Sequence, residues 1–243
     1  MAYKAVIIGA TSGIGLEVAR MLWKEGATVG VTGRRTDRLQ SFCKECGQRA
    51  SYKAIDITAG DAGQKLIELS EAIGGADMIL LCSGTGSQNP ELKPEIESDT
   101  VNTNVGGFTR MIDAAFNYFK GKDGGHIAAV TSIAGTKGLG IAAAYSATKR
   151  YQNTYMQCLA QLSAMQGYNI RFTDIRPGFV DTDLLKSGSF PMKMPVEYTA
   201  KKIVKAIKRH KRVAVIDWKY KIIVAIWRII PNCIWERMNI RNQ

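Results

Sequence analysis

The sequence predicts an α/β protein, a doubly wound seven-stranded parallel sheet with helices on both faces. Short apolar runs alternate with amphipathic stretches of helical period, the pattern of a sheet covered on both sides. The first run gives way to a glycine-rich turn that opens a helix. With 243 residues, the chain suits one α/β domain and is long enough to bury a sizeable core.

The strands are expected at Ala5–Ile8, Thr28–Thr32, Tyr52–Ile55, Met78–Cys82, His126–Thr131, Ile170–Ile175 and Val213–Ile216. Six helical runs separate them, and right-handed crossovers then set the winding. No internal repeat, low-complexity segment or linker interrupts the chain before residue 183.

The first turn reads Gly9-Ala10-Thr11-Ser12-Gly13-Ile14-Gly15. Gly9 lets the chain leave the first strand tightly. Gly13 puts no side chain between the backbone and a pyrophosphate, and Gly15 lets the new helix pack on the sheet. Free N–H groups and the positive end of the helix dipole then face the phosphates. At the end of the second strand, Arg34 and Arg35 stand where an NAD-binding fold usually carries an acidic residue for the ribose hydroxyls. Two guanidiniums suit a 2′-phosphate, which they grip through charge-assisted pairs. NADP(H) is therefore the expected cofactor, and Arg34→Asp should move preference toward NAD.

Tyr145 and Lys149 lie four apart on a helical run, so phenol and ammonium share a face. A neighbouring cation favours the phenolate and is expected to lower the tyrosine pKa toward the range of efficient acid–base work. Ser132 ends an apolar run thirteen residues upstream, and Asn104 lies in Val101-Asn102-Thr103-Asn104-Val105-Gly106-Gly107.

Together these residues resemble the short-chain dehydrogenase/reductase family over about residues 4 to 215. The G-x-x-x-G-x-G spacing of the first turn is also that family's. The resemblance implies a Rossmann-like fold and an NADPH-dependent carbonyl reductase or alcohol dehydrogenase. It makes Tyr145 the proton donor and Ser132 the partner of the same substrate oxygen. Lys149 would tune Tyr145 and hold the nicotinamide ribose, and Asn104 would fix a water leading to Lys149. Around the cofactor it places Thr11, Ser12 and Ile14 of the turn, with Asp56 and Ile57 at the adenine. It adds Gly84 and the exit Pro177-Gly178-Phe179-Val180-Asp181-Thr182, in which Val180 and Thr182 would bond the carboxamide. Asp56 reads equally well as a helix cap for the following run. Cys82 departs from the family, which places there an asparagine bracing the sheet; Gly84 and Gly86 still permit close backbone approach.

The formal charge of +12 is lopsided: residues 1–185 hold 19 basic and 18 acidic residues, while residues 186–243 hold 14 and 3. Basicity alone suggests nucleic acid, but no recognition motif accompanies it, so no such partner is expected. Five scattered cysteines argue against a disulfide framework and for a reducing, cytoplasmic compartment, and no metal site is expected. The amino terminus enters a strand at once, leaving no room for a signal peptide, and no apolar run reaches membrane-spanning length.

The stretch 183–198 carries Leu184, Leu185, Phe190, Met192 and Met194 and reads as a substrate lid suited to a hydrophobic carbonyl or alcohol. Residues 1–218 then form the domain and 219–243 a basic, apolar helical extension. On a helical wheel, Tyr220/Ile223/Trp227/Ile230 and Ile222/Ile226/Ile229 make two adjacent apolar stripes. Membrane-surface association, with Trp227 and Trp235 as anchors, competes with a homodimer or homotetramer interface and with core packing. A catalytically silent NADP-binding sensor or scaffold is the alternative to an enzyme.

Overall fold

The computed structural model describes residues 3–185 and 190–240. Strands β1 (Lys4–Ile8), β2 (Thr28–Gly33), β3 (Ala50–Ala54), β4 (Met78–Leu81), β5 (Gly125–Val130), β6 (Ile170–Arg176) and β7 (Val213–Val215) form one sheet in the order β3-β2-β1-β4-β5-β6-β7. Every pairing is parallel. The expected fold class is the observed one, with strand ends shifted by a residue or two.

The helices α1 (Gly13–Lys24), α2 (Thr36–Cys46) and α3 (Ala62–Ala72) alternate with the first strands. Next come α4 (Pro94–Val101), α5 (Phe108–Lys120), α6 (Ala143–Met165) and α7 (Val196–Lys208). The chain closes with α8 (Trp218–Ile229) and α9 (Asn232–Trp235). A widened π turn, Asn102–Gly107, joins α4 to α5.

Successive strand residues point to opposite faces, and β1 shows the result. Ala5 and Ile7 join the core under α1, α2, α7 and α8, whereas Val6 and Ile8 join the core under α3, α5 and α6. Strands buried on both sides must be apolar throughout, which is why they read as unbroken runs.

The irregular stretch ends sooner than expected, because α7 begins at Val196. Met194 is not a lid residue but a core one, 5% exposed and bridged to Val180. Phe190 packs against Phe179 at 4.9 Å between ring centroids, and residues 186–189 of the expected lid lie outside the described residues. The first C-terminal stripe is turned inward: Tyr220 is buried and Ile223, Trp227 and Ile230 half-buried, with Val224, in neither stripe, buried beside them. Trp235 is buried against Trp227 and donates from Nε1 to the Gly138 carbonyl at 2.6 Å. The two tryptophans expected as surface anchors therefore hold the C-terminal segment to the body.

At the opposite end of the sheet from the glycine turn, His126 is 3% exposed with Nε2 against Thr173 Oγ1 at 2.8 Å. Among the described residues its Nδ1 has no hydrogen-bond partner. Burial, with His210 and Arg171 nearby, pushes its pKa down from 6.5 to about 4. The unfolded chain thus binds the proton first, so His126 favours the fold fully above the unfolded pKa of 6.5 and progressively less toward pH 4. The contribution lost between pH 6.5 and 5 is about 2 kcal/mol. Urea midpoints measured near neutrality and near pH 5 are expected to fall less for His126→Gln than for the parent; equal falls would contradict the assignment.

Candidate active site

Strand order reverses between β2-β1 and β4-β5, so the crevice for a ligand opens at the carboxyl ends of β1 and β4. Three glycines shape it. Gly9 has φ +87°, and a Cβ there would stand 2.7 Å from the Ser83 nitrogen. A Cβ on Gly15 would lie 2.2 Å from the Gly9 carbonyl oxygen. Gly13, at φ +55°, faces the Thr182 methyl group, 3.1 Å from where a Cβ would be. Ser12 caps α1 without a side-chain hydrogen bond to it, so the helix amino terminus keeps donors for an anion. A cleft of about 580 Å³ beside it is lined by Ser12, Gly13, Leu16, Arg38, Asp181 and Thr182.

Arg35 reaches from the end of β2 to this turn. Its Nη2 donates to Thr11 Oγ1 at 2.7 Å and to Ser12 Oγ at 2.6 Å, and Nε donates to Thr11 Oγ1 at 3.1 Å. Arg34 is exposed and acts on Asp56 across space. Asp56 Oδ1 accepts from Thr58 N at 2.9 Å and Thr58 Oγ1 at 2.7 Å, which holds its carboxyl below the usual range. It closes a turn; the N-cap of the following helix α3 is Asp61. Ile57 is buried, and a Cβ on Gly107 would stand 2.8 Å from its side chain.

The other wall carries the candidate chemistry. Ser132 accepts at Oγ from Ala134 N at 3.0 Å, and its hydroxyl is near enough to the Tyr145 phenol to draw the phenol pKa down. Lys149, 4% exposed, places Nζ 5.6 Å from the Tyr145 ring centroid. Nζ donates to Gln152 Oε1 at 3.0 Å and to the Val130 carbonyl at 3.5 Å. Burial pushes the lysine pKa down to about 8, against opposing influences from Asp174 and Cys82.

The tyrosine pKa is raised, not lowered: burial dominates, and only the nearby Ser132 hydroxyl opposes it. The ammonium lies over the ring and spends its hydrogen bonds elsewhere. The sequence reveals a nearby cation but not the desolvation that outweighs it.

Asn104 is fully buried in the widened turn. Its side chain clamps the segment after β4, accepting from Thr85 N at 2.9 Å and donating to Thr85 O at 2.7 Å. Its carbonyl accepts from Gln152 Nε2 at 2.9 Å. Gln152 thus links the Asn104 backbone to Lys149. A Cβ on Gly84 would sit 3.2 Å from Asn104 Oδ1, and one on Gly86 only 2.1 Å from Tyr145 Cδ2. The Cys82 thiol is pushed up to about 12 by burial and so stays protonated.

Beyond β6, the Pro177 carbonyl accepts from Ile133 N at 3.1 Å. Val180 is buried, and Thr182 Oγ1 donates to its carbonyl at 3.4 Å. Gly178 makes room for the Tyr220 ring, 2.1 Å from where a Cβ would be. Sequence reasoning missed Gln152, legible only as a polar residue three after Lys149, and Asp174. The Asp174 carboxylate is fully buried, accepting from Thr131 Oγ1 at 2.6 Å and from Arg176 Nη2 at 2.6 Å. A larger hollow of about 960 Å³, between the 135–147 loop and the C-terminal segment, is lined by neither Ser132, Tyr145 nor Lys149.

The model of the short chain dehydrogenase family matches residues 3–190. The chain belongs to the short-chain dehydrogenase family. An uncharacterized oxidoreductase of Myxococcus xanthus is 31% identical, covering 97% of this chain and 96% of its own. One from Mycobacterium tuberculosis is 29% identical, covering 96% of each. A solved short-chain dehydrogenase from Burkholderia cenocepacia, in complex with NADP, superposes with a TM-score of 0.83 at 21% identity. It covers 99% of this chain and 98% of its own.

Short-chain dehydrogenases are oxidoreductases that use NAD or NADP, and the residues here fit such a dinucleotide. The Gly9, Gly13 and Gly15 cradle, which Cβ atoms would fill, opens onto the same crevice as Thr182 and the turn-bound Arg35. Among the described residues, no group of three or more His, Cys, Asp or Glu is placed to hold a metal ion.

Proposed function

We propose that this short-chain dehydrogenase is an NADPH-dependent carbonyl reductase, reversible as an alcohol dehydrogenase, acting on an apolar ketone or secondary alcohol. The observation that carries the reading is Lys149 packed over the Tyr145 ring, with the Ser132 hydroxyl acting on the same phenol.

When bound, NADPH supplies the hydride for the carbonyl carbon. As negative charge grows on the substrate oxygen, Tyr145 hands it a proton and Ser132 hydrogen-bonds it. Burial favours the neutral phenol, the form able to donate. Lys149, with its pKa near 8, is mainly an ammonium at neutral pH and holds the ribose while steadying the phenolate that forms. Gln152 holds the lysine head and is itself held by the Asn104 carbonyl. Asp56, Ile57 and Gly84 border the adenine and nicotinamide ends of the crevice, with Val180 and Thr182 at the carboxamide. Leu184, Leu185 and Phe190, in the stretch read as a substrate lid, favour an apolar substrate.

The 2′-phosphate preference rests on Arg35, already forked onto Thr11 and Ser12, with Arg34 adjacent. Arg35→Ser is expected to lower kcat/KM with NADPH by about 10- to 100-fold, the worth of a charge-assisted pair, while changing NADH values far less. Parent enzyme that prefers NADH would overturn the cofactor assignment. An NADPH-consumption screen over ketones, 3-oxoacyl thioesters, steroids and retinoids tests the reaction. Tight NADPH binding without turnover on any of them would favour a sensor.

A further inference from the structure

Helix α8 carries two apolar faces, and only one has a partner among the described residues. Its inner face holds the buried Tyr220 and Val224. On the outer face, Trp218, Ile222, Ile226 and Ile229 are 62, 51, 50 and 79% exposed. At about 100° per residue, these four fall within an arc of roughly 80°. Lys219 flanks that arc on one side, and Lys221 and Arg228 on the other, all exposed. No acidic residue occurs between Trp218 and Ile229. A contiguous apolar stripe left bare to solvent marks an interaction surface.

We propose that the outer face of α8 docks on an anionic lipid surface, with the helix lying in the plane of the interface. Charge selects this occupant. Residues 186–243 carry 14 basic and 3 acidic residues. Lipid headgroups of negative charge neutralise the cations flanking the stripe while the isoleucines enter the acyl boundary. A second copy laid α8 on α8 about a two-fold axis would bring like charges together, Lys221 and Arg228 among them. The geometry limits the helix to lying flat. Its 12 residues span about 18 Å, short of the roughly 30 Å of a hydrocarbon core. Among the described residues no helix is long and apolar enough to cross a membrane. Trp218, at the start of the exposed arc, suits the headgroup level.

The full-length protein, cosedimented with vesicles of phosphatidylcholine alone and of phosphatidylcholine with one-quarter phosphatidylglycerol, tests this. Binding to the anionic vesicles and not to the neutral ones is expected. Ile222→Ser with Ile226→Ser leaves every charge and every buried residue in place. It is expected to weaken that binding at least about tenfold, with the thermal melt and NADPH affinity unchanged. Failure of the parent to bind anionic vesicles would overturn the proposal. Equal binding by the double variant would do the same, because it would reduce the attraction to net charge. A parent dimer that dissociates on the double substitution, without vesicle binding, would assign the face to a second copy instead. None of these outcomes depends on turnover, so the proposed reaction stands or falls separately.

Discussion

Tyr145→Phe is expected to abolish carbonyl reduction for practical purposes, lowering kcat by about 10² to 10⁴-fold, the usual worth of a positioned general acid. The substitution removes one oxygen and keeps the ring that packs against Gly86 and under Lys149. NADPH affinity and the thermal melt should therefore change little, which separates lost chemistry from lost structure. The raised phenol pKa has a directional consequence as well. Reduction needs the protonated tyrosine, the form that burial favours at neutral pH, whereas oxidation needs the phenolate. Alcohol oxidation should therefore climb with pH over the range in which reduction does not. Measuring both directions on the best substrate of the screen checks this, and near-parental reduction by the Tyr145→Phe variant would remove Tyr145 from the mechanism.

Gly86→Ala is expected to have the second-largest effect through one added methyl group. The Cβ position lies 2.1 Å from Tyr145 Cδ2 and 2.6 Å from Cε2, so the ring or the segment after β4 must move. Gly86 is not among the glycines with positive φ, so the cost is steric and not conformational. A displacement of about 1 Å at a reacting group can reduce turnover about 10²-fold, and that loss in kcat is expected with NADPH affinity kept within a few-fold. Gly60→Ala, where a Cβ meets nothing within 4 Å, serves as the control. Parental kcat in the Gly86→Ala variant would mean that Tyr145 is not held where catalysis needs it.

The fold was legible because the central strands of a parallel sheet have no polar face: β1 and β4 read as apolar runs, and the helices packed on them as stripes. The Gly9–Gly15 turn and the Tyr145/Lys149 spacing were legible for a similar reason, since local geometry alone dictates both. What required tertiary structure was anything set by register or docking. Asp174 looks misplaced in an apolar strand until β5 pairs Ala129 with it and brings Thr131 to its carboxylate. Gln152 acquires its partners only when α6 packs over the widened turn bearing Asn104. The tyrosine pKa followed burial, which spacing cannot reveal. The two C-terminal stripes were both visible as periodicity, yet only the seating of α8 decides which one turns inward.

Tyr220 ties that seating to the cofactor side of the molecule. Its ring fills the space left by Gly178, and its hydroxyl accepts from Phe179 N at 3.1 Å and donates to the Met192 carbonyl at 3.0 Å. The carboxyl end is thus no neutral place for truncation or for a rigid fusion. Shortening the protein before this tyrosine would unplug the back wall of the loop leaving β6, a defect to be read as slack in nicotinamide positioning before any loss of folding.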